Sequence, residues 1–241
     1  MPEPIYKPTL LERLREQSDA LRGQDTAKRR PVEEALSDID RRLWRSFKWL
    51  DEALGHLEVI RPQVAHVFGL GSVLTITSPR YEQGFVSYRR KAYGGLELLE
   101  HVEVFYRMTQ DKPIVLKVQP GAAVGIEERL RGAHLPYHYQ TEQDEARVVR
   151  YGIFTVTPAV TASVKFAPDY RRQVIQVTLR NVDRFESVIL EFTPEKLDEA
   201  ALEDLIRFIL GEANAFLRRA PLAGLGRRKA PEDSVEIQPV P

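Results

Sequence analysis

The sequence predicts an α+β fold: a mostly antiparallel, curved, multi-stranded sheet packed by two N-terminal helices and one C-terminal helix. Three observations carry this expectation. Apolar residues at both ends of the chain recur at spacings of three and four, the period of a helix with one buried face. The middle, residues 57–193, alternates apolar and polar residues with a period of two. Turn-forming connections such as TPAV, APDYRR and RNVDR join these alternating stretches, as neighbouring antiparallel strands require.

The helical region 1–56 begins with PTLLERLREQSDALRG. Thr9 and Glu12 have capping-box spacing, in which each side chain satisfies an orphan N–H at the helix start. Leu11, Leu14, Ser18 and Leu21 share one face, Gly23 suits a C-terminal stop, and QDTAKRR reads as a polar connection. A second helix is expected from Pro31, whose fixed φ fits a first turn. Val32, Leu36, Ile39, Leu43, Phe47, Leu50 and Leu54 make its stripe, and Gly55 its end. Trp44 and Trp49, the only tryptophans, fall on opposite flanks of that stripe. Both indoles are then buried, or one faces a partner protein, because Trp is enriched at interface hot spots.

The region 57–193 carries strand patterns at Val64–Phe68, Val73–Thr77, Phe85–Tyr93, Pro113–Gln119, Arg147–Thr157, Val160–Phe166, Val174–Arg180 and Phe185–Phe192, for a sheet of about seven or eight strands. A short helix interrupts them near 121–133. A C-terminal helix over 194–219 follows, with Thr193 as N-cap, Pro194 and Glu195. Neither helical end can bury its stripe without the sheet, so 1–220 reads as one domain. Residues 221–241, rich in Gly, Pro and charge, read as a disordered tail.

Arg89, Arg90 and Lys91 stand in a row between Tyr88 and Tyr93. If Gly94-Gly95 is a two-residue hairpin turn, Tyr93 faces Leu96, Lys91 faces Leu98, Arg90 faces Leu99, and Arg89 faces Glu100. The cations then alternate between faces and meet carboxylates, with Arg90 diagonal to Glu97. That is the wet edge of a strand and not a grip on one phosphate.

Equal numbers of Lys+Arg and Asp+Glu, 35 each, argue against a surface built wholly for nucleic acid. The absence of cysteine removes disulfides, thiolate metal sites and a cysteine nucleophile, and it fits a reducing compartment. The N-terminus reads as charged instead of signal-like, and no apolar run reaches the roughly 18 residues of a membrane span. The glycines of FGLGSVL and PGAAVGIEE complete neither a dinucleotide fingerprint nor a P-loop. His134 and His138, with Glu142, Asp144 and Glu145, are metal-binding materials, but Pro136 between them prevents a shared helical face. Hydrolase elbows and zinc-protease helices are missing.

No cofactor, metal or membrane contact is therefore expected. The leading expectation is a non-enzymatic cytoplasmic interaction or adaptor protein whose partner is another protein. The alternative is a small-ligand domain with a cavity between sheet and helix, its polar groups drawn from Tyr88, Arg90, His101 and Arg107. A weaker alternative is nucleic-acid binding through the basic tail cluster Arg227, Arg228 and Lys229.

Overall fold

The computed structural model describes the backbone of residues 9–220, and their side chains apart from those of 21–30. The N-terminal capping box forms: the Thr9 N–H donates to Glu12 Oε2 at 2.7 Å and the Glu12 N–H to Thr9 Oγ1 at 3.3 Å. From there a single helix, α1 (Leu10–Ile60), runs for 51 residues, roughly 75 Å at 1.5 Å per residue. This corrects the expectation of two helices. Gly23 does not stop the helix and Pro31 lies inside it. The Gln, Ala, Lys and Arg residues between them are strong helix formers, so a cost of about 1 kcal/mol for Gly and about 3 for Pro does not break the run. Gly55 does not end it either. Arg61 does, in the left-handed conformation at φ 48°, with its N–H donating to the Leu57 carbonyl at 2.8 Å.

Ten strands follow in three antiparallel sheets, so the fold is α+β as expected. A short ribbon pairs β1 (Val67–Gly69) with β2 (Thr75–Thr77). The main sheet contains β3 (Arg80–Tyr93), β4 (Leu96–Thr109), β8 (Ala159–Asp169), β9 (Val174–Arg180) and β10 (Ser187–Phe192), in the spatial order β10-β9-β8-β4-β3. The third sheet holds β5 (Ile114–Val118), β7 (Val149–Val156) and β6 (Tyr137–Gln143), in the order β5-β7-β6. It extends the main sheet: β4 and β8 pair up to Thr109–Ala159, the Gln110 N–H donates to the Pro158 carbonyl at 3.0 Å, and pairing resumes at Ile114–Val156. β6, read as a loop from sequence, pairs along β7 while six of its seven residues stay exposed. Its Tyr139 ring packs 4.6 Å from Phe154, directly over Gly152, where a side chain would collide with it. The helix α2 (Ala123–Gly132) lies between β5 and β6, with Ile126 and Leu130 buried.

The C-terminal helix is shorter than the 194–219 read from sequence. Pro194–Lys196 is only a 3-10 turn, and Thr193 makes no side-chain cap. The helix α3 (Glu199–Leu210) starts where Asp198 accepts from the Ala201 N–H at 2.8 Å, and it stops at Gly211, φ 75°. Gly211 sits so close to Ala65 that a Cβ would lie 3.0 Å from the Ala65 backbone. Glycine answers both demands. A last 3-10 turn, Phe216–Arg218, folds back, and Arg219 Nε donates to the buried Asp204 carboxylate at 2.6 Å. That hydrogen bond holds the Asp204 carboxyl below its ordinary range. The tail cluster Arg227, Arg228 and Lys229 lies outside the described residues.

Burial divides α1 into two halves. From Leu36 onward, Ile39, Leu43, Leu50, Leu54 and Leu57 are buried against the main sheet. None of the described side chains before Leu36 is buried: Leu10 is 66%, Leu11 59%, Leu14 53% and Val32 54% exposed.

Candidate interaction surface

Where the two halves of α1 meet, the β3–β4 hairpin lies beside the helix. Gly94 and Gly95 make its turn at φ 57° and 89°, the two positive values a primed two-residue turn demands. The register follows the sequence expectation from Tyr93–Leu96 back to Arg90–Leu99. One residue later it shifts: Glu100 is extra, and Arg89 faces His101. A β-bulge of this kind places two consecutive residues on one side, and Leu98 and Leu99 are both buried here.

The bulge frees the backbone groups of Leu99, and two side chains from distant elements take them up. Its N–H donates to Asp40 Oδ1 of α1 at 2.7 Å, and its carbonyl accepts from the Tyr170 hydroxyl at 2.8 Å. Burial, chiefly, pushes the Tyr170 hydroxyl above its ordinary pKa, so it remains a donor at all ordinary pH. Arg90 stands 3.6 Å from Asp40 Oδ2 and donates to the Glu97 carbonyl at 3.1 Å. The same guanidinium lies 5.4 Å from the Trp44 ring centroid, and the Lys48 ammonium 5.7 Å from it.

Three aromatic rings complete the surface. Trp44 stacks on Phe47 at 5.0 Å, and Tyr88 packs edge-on against both, at 5.1 and 5.0 Å. Rings this close leave no space between them for a ligand, but Tyr88 remains 47% exposed. The chemistry on offer is an apolar, cation-flanked contact face of Trp, Tyr and Arg, the residue types that dominate interface hot spots.

Of the six candidates read from sequence, Trp44, Tyr88 and Arg90 come together here. Trp49 lies on the other flank of α1, partly buried against the core. His101 and Arg107 point to the opposite face of the sheet. His101 faces Arg89 across the strands, and burial, helped by nearby Lys165, lowers its pKa. Arg107 pairs with Glu82 at 2.7 Å, and Arg89 with Glu100 at 3.1 Å. Asp40 and Tyr170 were missed. Their role exists only because a bulge opens Leu99, and nothing in their spacing announces it.

Beside the hairpin, a groove of about 470 Å³ opens onto the β8–β9 turn, walled by Tyr93, Leu98, Pro168 and Tyr170 and rimmed by Lys91 and Arg171. Two other clefts, of about 260 Å³ by Gln63 and Gln110 and about 400 Å³ by His66 and Arg184, also lie at the rims. His134 sits in the turn after α2 and His138 on β6, both exposed, and no group of three metal-ligating side chains forms among the described residues.

No protein-family model, curated protein or solved structure matches this chain. Functional argument therefore rests on geometry alone. Among the described residues, no helix is long and apolar enough to cross a membrane.

Proposed function

We propose that this chain is a cytoplasmic, non-enzymatic interaction module that captures a helical protein segment along the first half of α1. One observation carries the reading. The stripe that the sheet buries from Leu36 onward continues in phase through Val32 and on to Leu14 and Leu11, where those side chains are more than half exposed. A helix keeps such a stripe in water only at a cost, and a partner helix is the natural cover for a seam of this width. At the root of the seam, Trp44, Tyr88 and Arg90 supply anchoring groups.

The test is capture of partners from a lysate with the unsubstituted chain and with a Leu11→Glu, Leu14→Glu variant. Loss of a specific protein with the variant, its circular dichroism unchanged, is the expected outcome. Identical captures would reject the arm as a contact surface. The groove beside Tyr93 and Tyr170 favours a second reading, a small-ligand site, because its size falls within the range of ligand pockets. A midpoint shift in a thermal screen against small molecules, lost in a Tyr170→Ala variant, is what that reading expects.

A further inference from the structure

Building on that interaction reading, we infer that the partner of the arm is a second copy of this chain, paired antiparallel about a two-fold axis. The stripe has the alternating three- and four-residue spacing of a two-helix seam: Leu11, Leu14 and Ser18 at one end, and Val32, Leu36, Ile39 and Leu43 at the other. Because it stays in phase, its cover lies on the side where the sheet covers the later half. A helix laid there ends against the tip of the β3–β4 hairpin.

Length, area and charge select the second copy. The arm from Leu10 to the first buried residue, Leu36, is about 39 Å long at 1.5 Å per residue. It is as long as the half that lies on the sheet, so two arms can overlap completely. Two contact strips of that length, each roughly 10 Å wide, amount to on the order of 800 Å². Side-chain relief, together with the exposed Tyr88 at the root, raises the accessible area lost toward the roughly 1,200 Å² at which specific interfaces begin. Acids and bases interleave along the arm, as Glu12, Arg13, Arg15, Glu16 and Asp19. A rim of mixed sign complements itself, whereas a rim selecting a charged foreign helix carries one sign. The chain's formal net charge of zero adds no repulsion between copies. A parallel pair would crowd two sheets at one end of the seam. The antiparallel pair sets them at opposite ends and places Leu11 of each copy opposite Val32 of the other.

The chain lacks cysteine, so engineered thiols are the only ones present. The experiment measures molar mass by light scattering and then oxidises two variants, Leu11→Cys with Val32→Cys, and Leu14→Cys alone. The expected results are twice 27.6 kDa for the unsubstituted chain, the monomer mass for Leu11→Glu with Leu14→Glu, and a disulfide-linked dimer for the double cysteine variant. That disulfide cannot close within one straight helix, where positions 11 and 32 lie about 31 Å apart. In the antiparallel pair the two Leu14→Cys thiols are about 22 Å apart and stay unlinked. Linkage through Leu14→Cys overturns the antiparallel arrangement. A monomeric chain at all concentrations overturns the second copy as partner; if that monomer still captures a foreign protein through Leu11 and Leu14, the interaction reading survives without it.

Discussion

Leu43 and Leu14 occupy equivalent places on one continuous helix, four heptads apart, and differ wholly in environment. Leu43 is fully buried under the main sheet, whereas Leu14 is 53% exposed. The amphipathic pattern is the same in both halves of α1; only the later half has a sheet to cover it. Periodicity thus identifies a face that needs cover and does not say which molecule provides it. Around the later half the structure is over-determined, with a buried core, the Leu99 bulge held from two sides, and a chain end pinned by Arg219. The first half has no such constraints on any described side chain beyond the capping box.

The largest expected contrast comes from equal truncations in the two halves. Leu43→Ala should cost about 2–5 kcal/mol of unfolding free energy through lost transfer and a residual cavity. Leu14→Ala, measured in dilute solution where the chain is monomeric, should cost no more than about 0.5 kcal/mol. Urea titrations of both decide it, and comparable losses would break the comparison. Next comes Asp40→Ala at the boundary. It leaves the Leu99 N–H without its acceptor and Arg90 without its carboxylate, for a loss of about 1–3 kcal/mol. Solvent exchange of the Leu99 amide should quicken in the same variant.

Gly84→Ala tests the packing of the covered region from a different side. Its N–H donates to Glu58 of α1 at 3.2 Å, and a Cβ there would fall on the hydroxyl of Tyr81, which is fully buried and has no hydrogen-bond partner. The substitution should destabilise by about 1–3 kcal/mol. Adding Tyr81→Phe should restore much of that, because the lost hydroxyl made no bond. No recovery would show that the neighbouring Phe105 carbonyl and Tyr106 Cβ set the limit instead.

The smallest effect is on the acid limb of stability. The folded-state pKa of Asp204 lies below its ordinary value of about 3.9. Its contribution is therefore complete above about pH 4 and is lost as pH falls through the folded value. Asp204→Asn should flatten the stability curve below about pH 4; an unaltered acid slope would mean that Arg219 does not hold the chain end.

Much of this architecture was legible in the sequence. The Thr9–Glu12 box, the alternation in β7 to β10 and the Gly94-Gly95 turn depend on neighbours a few residues away, where local chemistry decides. The continuous α1 was not read, because Gly23 and Pro31 are punctuation that a long run of good helix formers can override. The true limits of α3 were written in Asp198 and Gly211, yet Thr193-Pro194 offered an equally good local start. β6 was hidden because its residues stay exposed and its strand exists through pairing with β7. At the surface itself, Trp44, Tyr88 and Arg90 were legible as residue types. Their convergence was not, since it depends on where a bulge one residue beyond Arg90 turns the strand.

The central claim, that the first half of α1 serves a partner and not its own fold, is tested most directly by equilibrium urea unfolding of the Leu11→Glu, Leu14→Glu variant. Measured at a concentration where the unsubstituted chain is monomeric, the two should unfold within about 0.5 kcal/mol of each other. A loss of about 2 kcal/mol or more would contradict the account, because it would mean that these leucines are packed inside the chain's own fold.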